Sequence, residues 1–130
     1  MNLQIRVVTP DQVFLDKEVD EIILPTNTGL MGVLKNHAPL ITAIEVGVML
    51  FRIKKEWTSI ALMGGFAFVK QNRITVLVNE AESEVTIDPT EAEKDFNLAK
   101  QQLEEAQGQK QKVEANFSFK RARARYQVIK

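Results

Sequence analysis

The 130-residue sequence contains no cysteine and a single histidine, His37. Without thiols the chain has no disulfide framework, no thiolate nucleophile and no cysteine-ligated metal, and one histidine excludes zinc sites that need two. The most apolar stretch, 41–51, is interrupted by Thr42, Glu45 and Gly47, so it falls short of the roughly 18 apolar residues of a membrane span. The N-terminal residues show no leader-peptide pattern. We therefore expect any membrane association to come through a partner.

Net charge is also absent, because 17 Lys and Arg residues balance 17 Asp and Glu residues. Hydrophobic residues make up 45% of the chain, which is enough for one domain core, and neutrality argues against a globally basic nucleic-acid-binding protein. The charges are nevertheless unevenly placed. Segment 80–95 carries seven acids against Lys94, and segment 110–130 carries seven basic residues against Glu114. The C-terminal arm is therefore basic, which favours an acidic partner.

The first part of the chain shows the two-residue alternation typical of β-strands. Strand-like runs occur at 3–8, 19–24, 48–53, 57–62, 66–70 and 74–78, with turn residues between them. Short strands without intervening helices favour an antiparallel β-sandwich or flattened barrel, here of about 8–10 strands. The neighbouring glycines Gly64 and Gly65 lack the spacing of a phosphate-binding loop and predict a bulge or a close backbone approach.

The periodicity changes at Asp88-Pro89, a helix N-cap followed by a first-turn proline. Apolar side chains then recur at steps of four and three, which predicts a helix of about 18 residues ending at Gly108, and then a second helix. The first stripe contains Ala92, Phe96, Ala99, Leu103 and Ala106, and the second contains Ala115, Phe119, Ala122, Tyr126 and Ile129. The sequence therefore predicts a β-sandwich domain over 1–87 and an antiparallel helical hairpin over 88–130.

The hairpin combines a weak apolar stripe with a strong charge. Both stripes are narrow and rich in alanine, so we expect the hairpin to be marginally stable and able to detach from the sandwich. The basic residues that flank the second stripe are Lys120, Arg121, Arg123 and Arg125. They could bind an acidic protein, or RNA with stacking by Phe117, Phe119 or Tyr126, or they could form a solvated face. The residues alone leave these three interpretations open.

No arrangement of residues typical of an active site is visible. His37 lies in a loop whose neighbours form no nucleophile and base order, so we interpret it as a loop or interface residue. Glu80, Glu82 and Glu84 share one face of a strand-like segment but lack the aspartate and glycine spacing of a calcium loop. We expect no catalytic activity, no cofactor, no nucleotide site and no metal.

The segment 29–40, Gly-Leu-Met-Gly-Val-Leu-Lys-Asn-His-Ala-Pro-Leu, resembles the G-x-x-G-x-L-x-N-H-A-P-L signature of the epsilon subunit of F-type ATP synthases. Segments 61–67, 74–79, 114–116 and 121–125 look like the chloroplast and cyanobacterial branch of that family. The resemblance covers essentially the whole chain. It implies a non-catalytic rotor subunit of the central stalk, which couples proton flow to ATP synthesis and inhibits ATP hydrolysis through its C-terminal helices. The alternative is an unrelated β-sandwich adaptor whose basic hairpin binds an acidic protein or RNA.

The resemblance also implies site residues and partners. The surface facing the gamma subunit and the membrane ring corresponds to Asn27, Thr28, Gly29, Leu30, Asn36 and His37. The contact to an acidic segment of the beta subunit corresponds to Lys120, Arg121, Arg123 and Arg125. The implied partners are gamma, the c-subunit ring and the alpha and beta subunits of the head, with no nucleic acid. The implied location is the thylakoid membrane surface, on the stromal side of a plastid or the cytoplasmic side in a cyanobacterium, with membrane contact only through the complex.

One departure from the family concerns nucleotide binding. Some bacterial members bind ATP through an Ile/Leu-Asp-x-x-Arg-Ala motif, whereas residues 87–92 here read Ile-Asp-Pro-Thr-Glu-Ala, with Glu91 in place of the arginine. A carboxylate at this position repels phosphate rather than pairing with it. We therefore expect no tight ATP binding to this chain alone.

Overall fold

The computed structural model describes residues 3–130, in which eight β-strands precede two α-helices. The strands are β1 (Leu3–Val8), β2 (Val13–Val19), β3 (Glu21–Thr26), β4 (Gly29–Val33), β5 (Leu40–Ile53), β6 (Glu56–Lys70), β7 (Arg73–Val78) and β8 (Ala81–Ser83). The helices are α1 (Pro89–Glu105) and α2 (Gly108–Ile129). This order confirms the predicted class, a β-sandwich followed by a helical hairpin.

The strands hydrogen-bond in the order β2-β1-β7-β6-β5-β3-β4, and β8 pairs with β6. The pairings of the described strands are antiparallel except that of β1 with β7, which is parallel. The prediction of antiparallel strands is wrong at this pair. Since β1 and β7 are far apart in the chain, no short turn fixes their relative direction, and local alternation carries no information about it.

The two longest strands, β5 and β6, pair with each other along nearly their whole length. The sequence predicts two strands separated at Gly64 and Gly65, but β6 continues through both glycines. Their φ angles are +85° and +157°, and the β5–β6 register is the same on either side, so no bulge is present. The close backbone approach is present instead, because a Cβ atom on Gly65 would overlap the carbonyl oxygen of Leu77.

The sandwich core consists of inward-facing hydrophobic side chains, most of them aliphatic. Its fully buried members are Leu3, Ile5, Val7, Val19, Ile22, Leu24, Val33, Met49, Phe51, Leu62, Ile74 and Val76. Their two-residue spacing within β1 and β7 is the alternation seen in the sequence, since successive side chains of a strand point to opposite faces. Burial of this set is the main stabilising term of the β-domain.

Helix α1 begins where the sequence predicts and ends earlier. The Asp88 carboxylate accepts hydrogen bonds from the backbone N–H groups of Thr90 (2.9 Å) and Glu91 (3.2 Å), which satisfies two donors of the first turn. The chain leaves the helical conformation at Ala106, whose N–H donates to the Leu103 carbonyl oxygen. Gly108, with φ +77°, is therefore the first residue of α2 and not the end of α1. Neither described helix has the length and apolarity that crossing a membrane requires.

The two helices pack through small residues and a short aromatic stack. Ala92, Ala99 and Ala122 are buried, and Leu103, Ala106 and Ala115 are partly buried. The Phe96 ring stacks on Phe119, with centroids 5.6 Å apart, and on Tyr126 at 4.9 Å. Aromatic pairs of this kind contribute about 0.5–1.5 kcal/mol beyond their buried area, so the hairpin has one localised point of stronger contact.

A second face of α2 packs on the sandwich, and the predicted stripe did not contain it. Ala124 and Val128 are buried in a cluster with Ala61 and Met63 of β6. Ile129, which the sequence pattern assigns to the hairpin stripe, is a partly buried member of this cluster. The short alanine side chain allows the helix to approach the sheet closely. The hairpin therefore lies folded against the β-domain through a small apolar contact.

Candidate interaction surfaces

Arginines of α2 face acidic side chains of β8, the preceding turn and α1. Arg121 Nη2 lies 3.0 Å from Glu80 Oε2, Arg125 Nε lies 2.6 Å from Glu82 Oε2, and Arg125 Nη1 lies 3.4 Å from Asp95 Oδ2. These five residues are called the ion-pair cluster below. Two of its three contacts join the hairpin to the β-domain, and the third joins α2 to α1. In the folded chain, the basic segment 110–130 therefore forms ion pairs with the acidic segment 80–95.

Arg125 is the most enclosed member of the ion-pair cluster. Its side chain is 12% exposed and that of Glu82 is 21% exposed. Burial by itself lowers the pKa of Arg125, but the hydrogen bond to Glu82 and the charges of Glu82, Asp95 and Glu91 outweigh it, and the pKa is raised. Arg125 therefore stays charged, and its contact with Glu82 is protected from solvent screening to a degree that the more exposed Arg121–Glu80 pair is not.

Lys120 and Arg123 point to the other side of α2 and form no ion pair within residues 3–130. The guanidinium carbon of Arg123 lies 5.3 Å from the ring centroid of Phe119, a cation–π contact. The four basic residues that the sequence singles out therefore divide into two pairs. One pair is occupied by the chain's own carboxylates, and the other remains available to a ligand or partner.

The turn between β3 and β4 forms one wall of an open groove of about 720 Å³, whose opposite wall is α2. The Thr26 hydroxyl donates to the Gly29 carbonyl oxygen at 2.6 Å, and the hydroxyls of Thr26 and Thr28 are 3.2 Å apart, which fixes the shape of the turn. Asn27, Gly29 and Leu30 line the groove. The turn that the family resemblance assigns to the rotor surface thus lies beside the basic helix.

Asn36 and His37 lie in the loop between β4 and β5 and do not line this groove. Asn36 has a φ angle of +69°, and its backbone N–H donates to the Asn72 side-chain oxygen at 2.6 Å. His37 is half-buried, and its Nδ1 lies 2.7 Å from the Ala38 carbonyl oxygen. Because Asn72 belongs to the turn between β6 and β7, the loop is fastened to a different part of the sandwich. The six predicted rotor-surface residues form two groups.

Sequence reasoning missed an exposed apolar face on β5, β6 and β7. Ile41 lies opposite Phe68, and Phe66 lies opposite Leu77. Directly opposed residues share one side of a sheet, as do Phe66 and Phe68 two positions apart, so the four side chains form one surface. They are 37–70% exposed. The signal in the sequence is that these strands carry large apolar residues on both faces. A strand with one face in water usually alternates apolar and polar residues instead.

Acidic groups dominate the surroundings of Arg125. Glu91, at the position where nucleotide-binding relatives carry arginine, is one of the charges that raise the pKa of Arg125. The negative charges of Glu82, Glu91 and Asp95 around this arginine repel phosphate. The arrangement supports the expectation of no tight ATP binding, which stays a prediction. Among residues 3–130, no group of three or more metal-ligating side chains is placed to hold an ion.

A β-sandwich that carries a basic helical hairpin and presents several surfaces suited to protein contacts is the architecture of a subunit of a larger assembly. Residues 2–84 match the family model for the beta-sandwich domain of the ATP synthase delta/epsilon chain, and residues 86–130 match its long alpha-helix domain. The chain therefore belongs to the delta/epsilon chain family of ATP synthases, in its chloroplast branch. The alternative of an unrelated adaptor is not supported.

Individual relatives agree over the full length. The chain is 75% identical over 129 residues to the chloroplastic ATP synthase epsilon chain of Oltmannsiellopsis viridis, covering 99% of this chain and 98% of that one. Identity is 67% to that of Tupiella akineta, with 99% of each chain covered. Among solved structures, one chain of the Euglena gracilis mitochondrial ATP synthase OSCP/F1/c-ring assembly has a TM-score of 0.81 at 19% identity, covering 95% of this chain and 78% of that one. At such identity the structural likeness shows the fold.

Proposed function

We propose that the chain is the rotor subunit of a plastid ATP synthase that couples proton flow to ATP synthesis and inhibits ATP hydrolysis. It would lie peripherally at the thylakoid membrane, on the stromal side, with gamma, the c-subunit ring and the catalytic head as partners. The family and the chloroplastic relatives support this proposal, and a chain of the ATP synthase F1/c-ring assembly shares the fold. The observation that carries its regulatory part is the ion-pair cluster, because it engages two of the proposed inhibitory arginines internally.

The ion-pair cluster makes the folded hairpin and the inhibitory hairpin alternatives. While Arg121 and Arg125 contact Glu80 and Glu82, they are not free to contact an acidic segment of the beta subunit. When the hairpin detaches, Arg121 and Arg125 leave the chain's own carboxylates and can pair with carboxylates of the beta subunit. The ion pairs are therefore replaced and not simply lost. The apolar contact that must also be broken is small, since the helices contribute only Ala92, Ala124 and Val128 as buried side chains, with Ile129 partly buried. Both conditions favour a hairpin with two accessible states.

The β-domain supplies the surfaces for rotor assembly. We assign the turn over 27–30 and the loop at Asn36 and His37 to the membrane ring, because both are surface connections that their hydrogen bonds hold in shape. We assign the apolar face of Ile41, Phe66, Phe68 and Leu77 to gamma, since a contiguous exposed apolar surface of this kind is typical of a permanent subunit contact. The hairpin, which packs on β6 through Ala124 and Val128, remains the regulatory element.

A hydrolysis assay tests the inhibitory role. We expect ATP hydrolysis by an epsilon-depleted photosynthetic ATP synthase head to fall saturably as the intact chain is added. The triple variant Arg121→Ala, Arg123→Ala, Arg125→Ala is expected to inhibit at least tenfold less strongly, because charge-assisted hydrogen bonds contribute about 1.5–3 kcal/mol each. Lys110→Ala with Lys112→Ala, on the exposed first part of α2, is the control. A chain that binds the head without inhibiting it, or a triple variant that inhibits equally, contradicts the proposal.

Binding to gamma tests the assignment of the apolar face. Phe66→Asp places a charge at the centre of this face, and we expect it to weaken binding to gamma at least tenfold because the carboxylate must be desolvated in the contact. Leu98→Asp, at an exposed position of α1, is the matched control and is expected to bind like the natural chain. Circular dichroism verifies that both variants fold. Equal weakening by both substitutions, or by neither, contradicts the assignment.

A further inference from the structure

The groove between the β3–β4 turn and α2 has an apolar floor. Val46, Val48 and Leu50 lie at alternate positions of β5, so they share one face of the sheet, and all three are half-buried. Pro25 and Leu30 of the β3–β4 hairpin add further apolar surface. The volume of about 720 Å³ falls within the range of small-molecule sites, about 300–1,000 Å³. The groove is therefore large enough for an organic ligand with an aliphatic body.

The rim of the groove is cationic. Lys120 and Arg123 line it from α2, and these are the two basic residues that the ion-pair cluster leaves free. The contact of Arg123 with Phe119 holds its guanidinium in place. Within residues 3–130, the exposed Glu45 is the only acid that lines the groove. Two positive charges against one negative charge, above an apolar floor, complement a ligand that is apolar along its length and anionic at one end.

We propose that this groove binds an amphipathic anion, a single aliphatic chain that ends in a carboxylate. The carboxylate lies between Lys120 and Arg123, where charge-assisted hydrogen bonds are available from both side chains. The aliphatic chain covers Val46, Val48 and Leu50, which are otherwise only partly removed from water. Val46 and Val48 already pack in part against the cluster that contains Ala124 and Val128 of α2, so the ligand extends an existing apolar contact.

Such a ligand contacts both domains at once. The floor of the groove belongs to β5, and the basic side chains on its rim belong to α2. A molecule that needs both binds the folded hairpin and not the detached one, so it shifts the equilibrium toward the folded state. This consequence for inhibition rests on the proposed function, whereas binding in the groove does not.

The test titrates dodecanoate, below its micelle-forming concentration, into the ¹⁵N-labelled full chain. We expect saturable one-to-one binding with amide shifts in residues 45–50 and 120–127. Dodecanol and acetate, which lack the charge and the chain respectively, are expected to bind at least tenfold more weakly. Lys120→Gln with Arg123→Gln is expected to weaken dodecanoate binding at least tenfold. Lys110→Gln with Lys112→Gln makes the same charge change elsewhere on α2 and is expected to leave binding unchanged.

Distinct outcomes overturn distinct parts of the inference. Absence of binding, or shifts confined to the apolar face around Phe66, shows that the groove is not the site. Equal binding of dodecanol, or of dodecanoate to the Lys120 and Arg123 variant, shows that the cations do not recognise the ligand. The spectrum of the variant without ligand verifies that it is folded. If dodecanoate binds in the groove and inhibition of hydrolysis is unchanged at saturation, only the regulatory consequence fails.

Discussion

Glu82→Gln is expected to release the hairpin from the β-domain and to make the chain a stronger inhibitor of ATP hydrolysis. The substitution keeps the size of the side chain but removes the charge that faces Arg125 across 2.6 Å. Arg125 itself remains, still charged and paired within the hairpin to Asp95. Loss of a hydrogen bond between charged groups costs about 1.5–3 kcal/mol. The ratio of detached to folded hairpin should therefore rise between about tenfold and a hundredfold.

Two comparison variants separate this effect from a general loss of charge. Glu84→Gln makes the same chemical change at an exposed residue that has no ion pair within residues 3–130, and it is expected to behave like the natural chain. Arg125→Gln breaks the same contact but removes an inhibitory charge, so it should release the hairpin and inhibit less. Amide hydrogen exchange at Ala124 and Val128 measures release, and the hydrolysis assay measures inhibition. Unchanged exchange in Glu82→Gln contradicts the role given to the ion-pair cluster.

Gly65→Ala is expected to destabilise the β-domain by about 3 kcal/mol or more, the largest effect on stability that we expect from a single methyl group. Two causes act together. The φ angle of +157° is one that residues with a side chain rarely adopt, and the added Cβ would overlap the backbone carbonyl of Leu77 in the neighbouring strand. Because the obstacle is the backbone of β7, which is hydrogen-bonded to β6, it cannot move aside as a flexible side chain could.

Gly32→Ala is the matched control for this prediction. Gly32 lies in β4, has no positive φ angle, and has open space within 4 Å of the position that the alanine methyl group would occupy. We expect its midpoint of urea denaturation to equal or slightly exceed that of the natural chain, because alanine restricts the unfolded state. The midpoint for Gly65→Ala should be far lower with a similar slope. Equal midpoints for the two variants would show that the backbone around Gly65 rearranges easily to accept a methyl group, which contradicts the prediction.

Several local features could be predicted from the sequence because their causes are local. Alternation of apolar residues indicated the strands of the β-domain, and the side chain of Asp88 indicated the start of α1. The predicted end of α1 was wrong because Gly108 can serve either as a helix end or as the first residue of a helix, and only the backbone angles distinguish these roles. The division of β6 at Gly64 and Gly65 was wrong for the same reason, since a glycine pair permits a bend without requiring a break.

Other features depend on partners that are distant in the chain. The four basic residues of α2 look alike in the sequence, yet Arg121 and Arg125 meet the chain's own acids while Lys120 and Arg123 line a groove. Which role each residue takes depends on the rotation of α2 over the sheet, and Ala124 and Val128 set that rotation by packing on β6. The stripe that predicted the hairpin could not reveal this second contact, because alanine is a weak signal of burial.

The sequence by itself determined the fold class, the start of α1 after Asp88, the absence of thiol chemistry and, through residues 29–40, the family. Tertiary structure alone decided the parallel pairing of β1 with β7, the apolar face, and the separation of the predicted rotor surface into two groups. The physical reason is the distance along the chain over which each interaction acts. Periodicity, capping and turn chemistry act over a few residues and can be read along the chain, whereas pairing and packing depend on which distant segments meet.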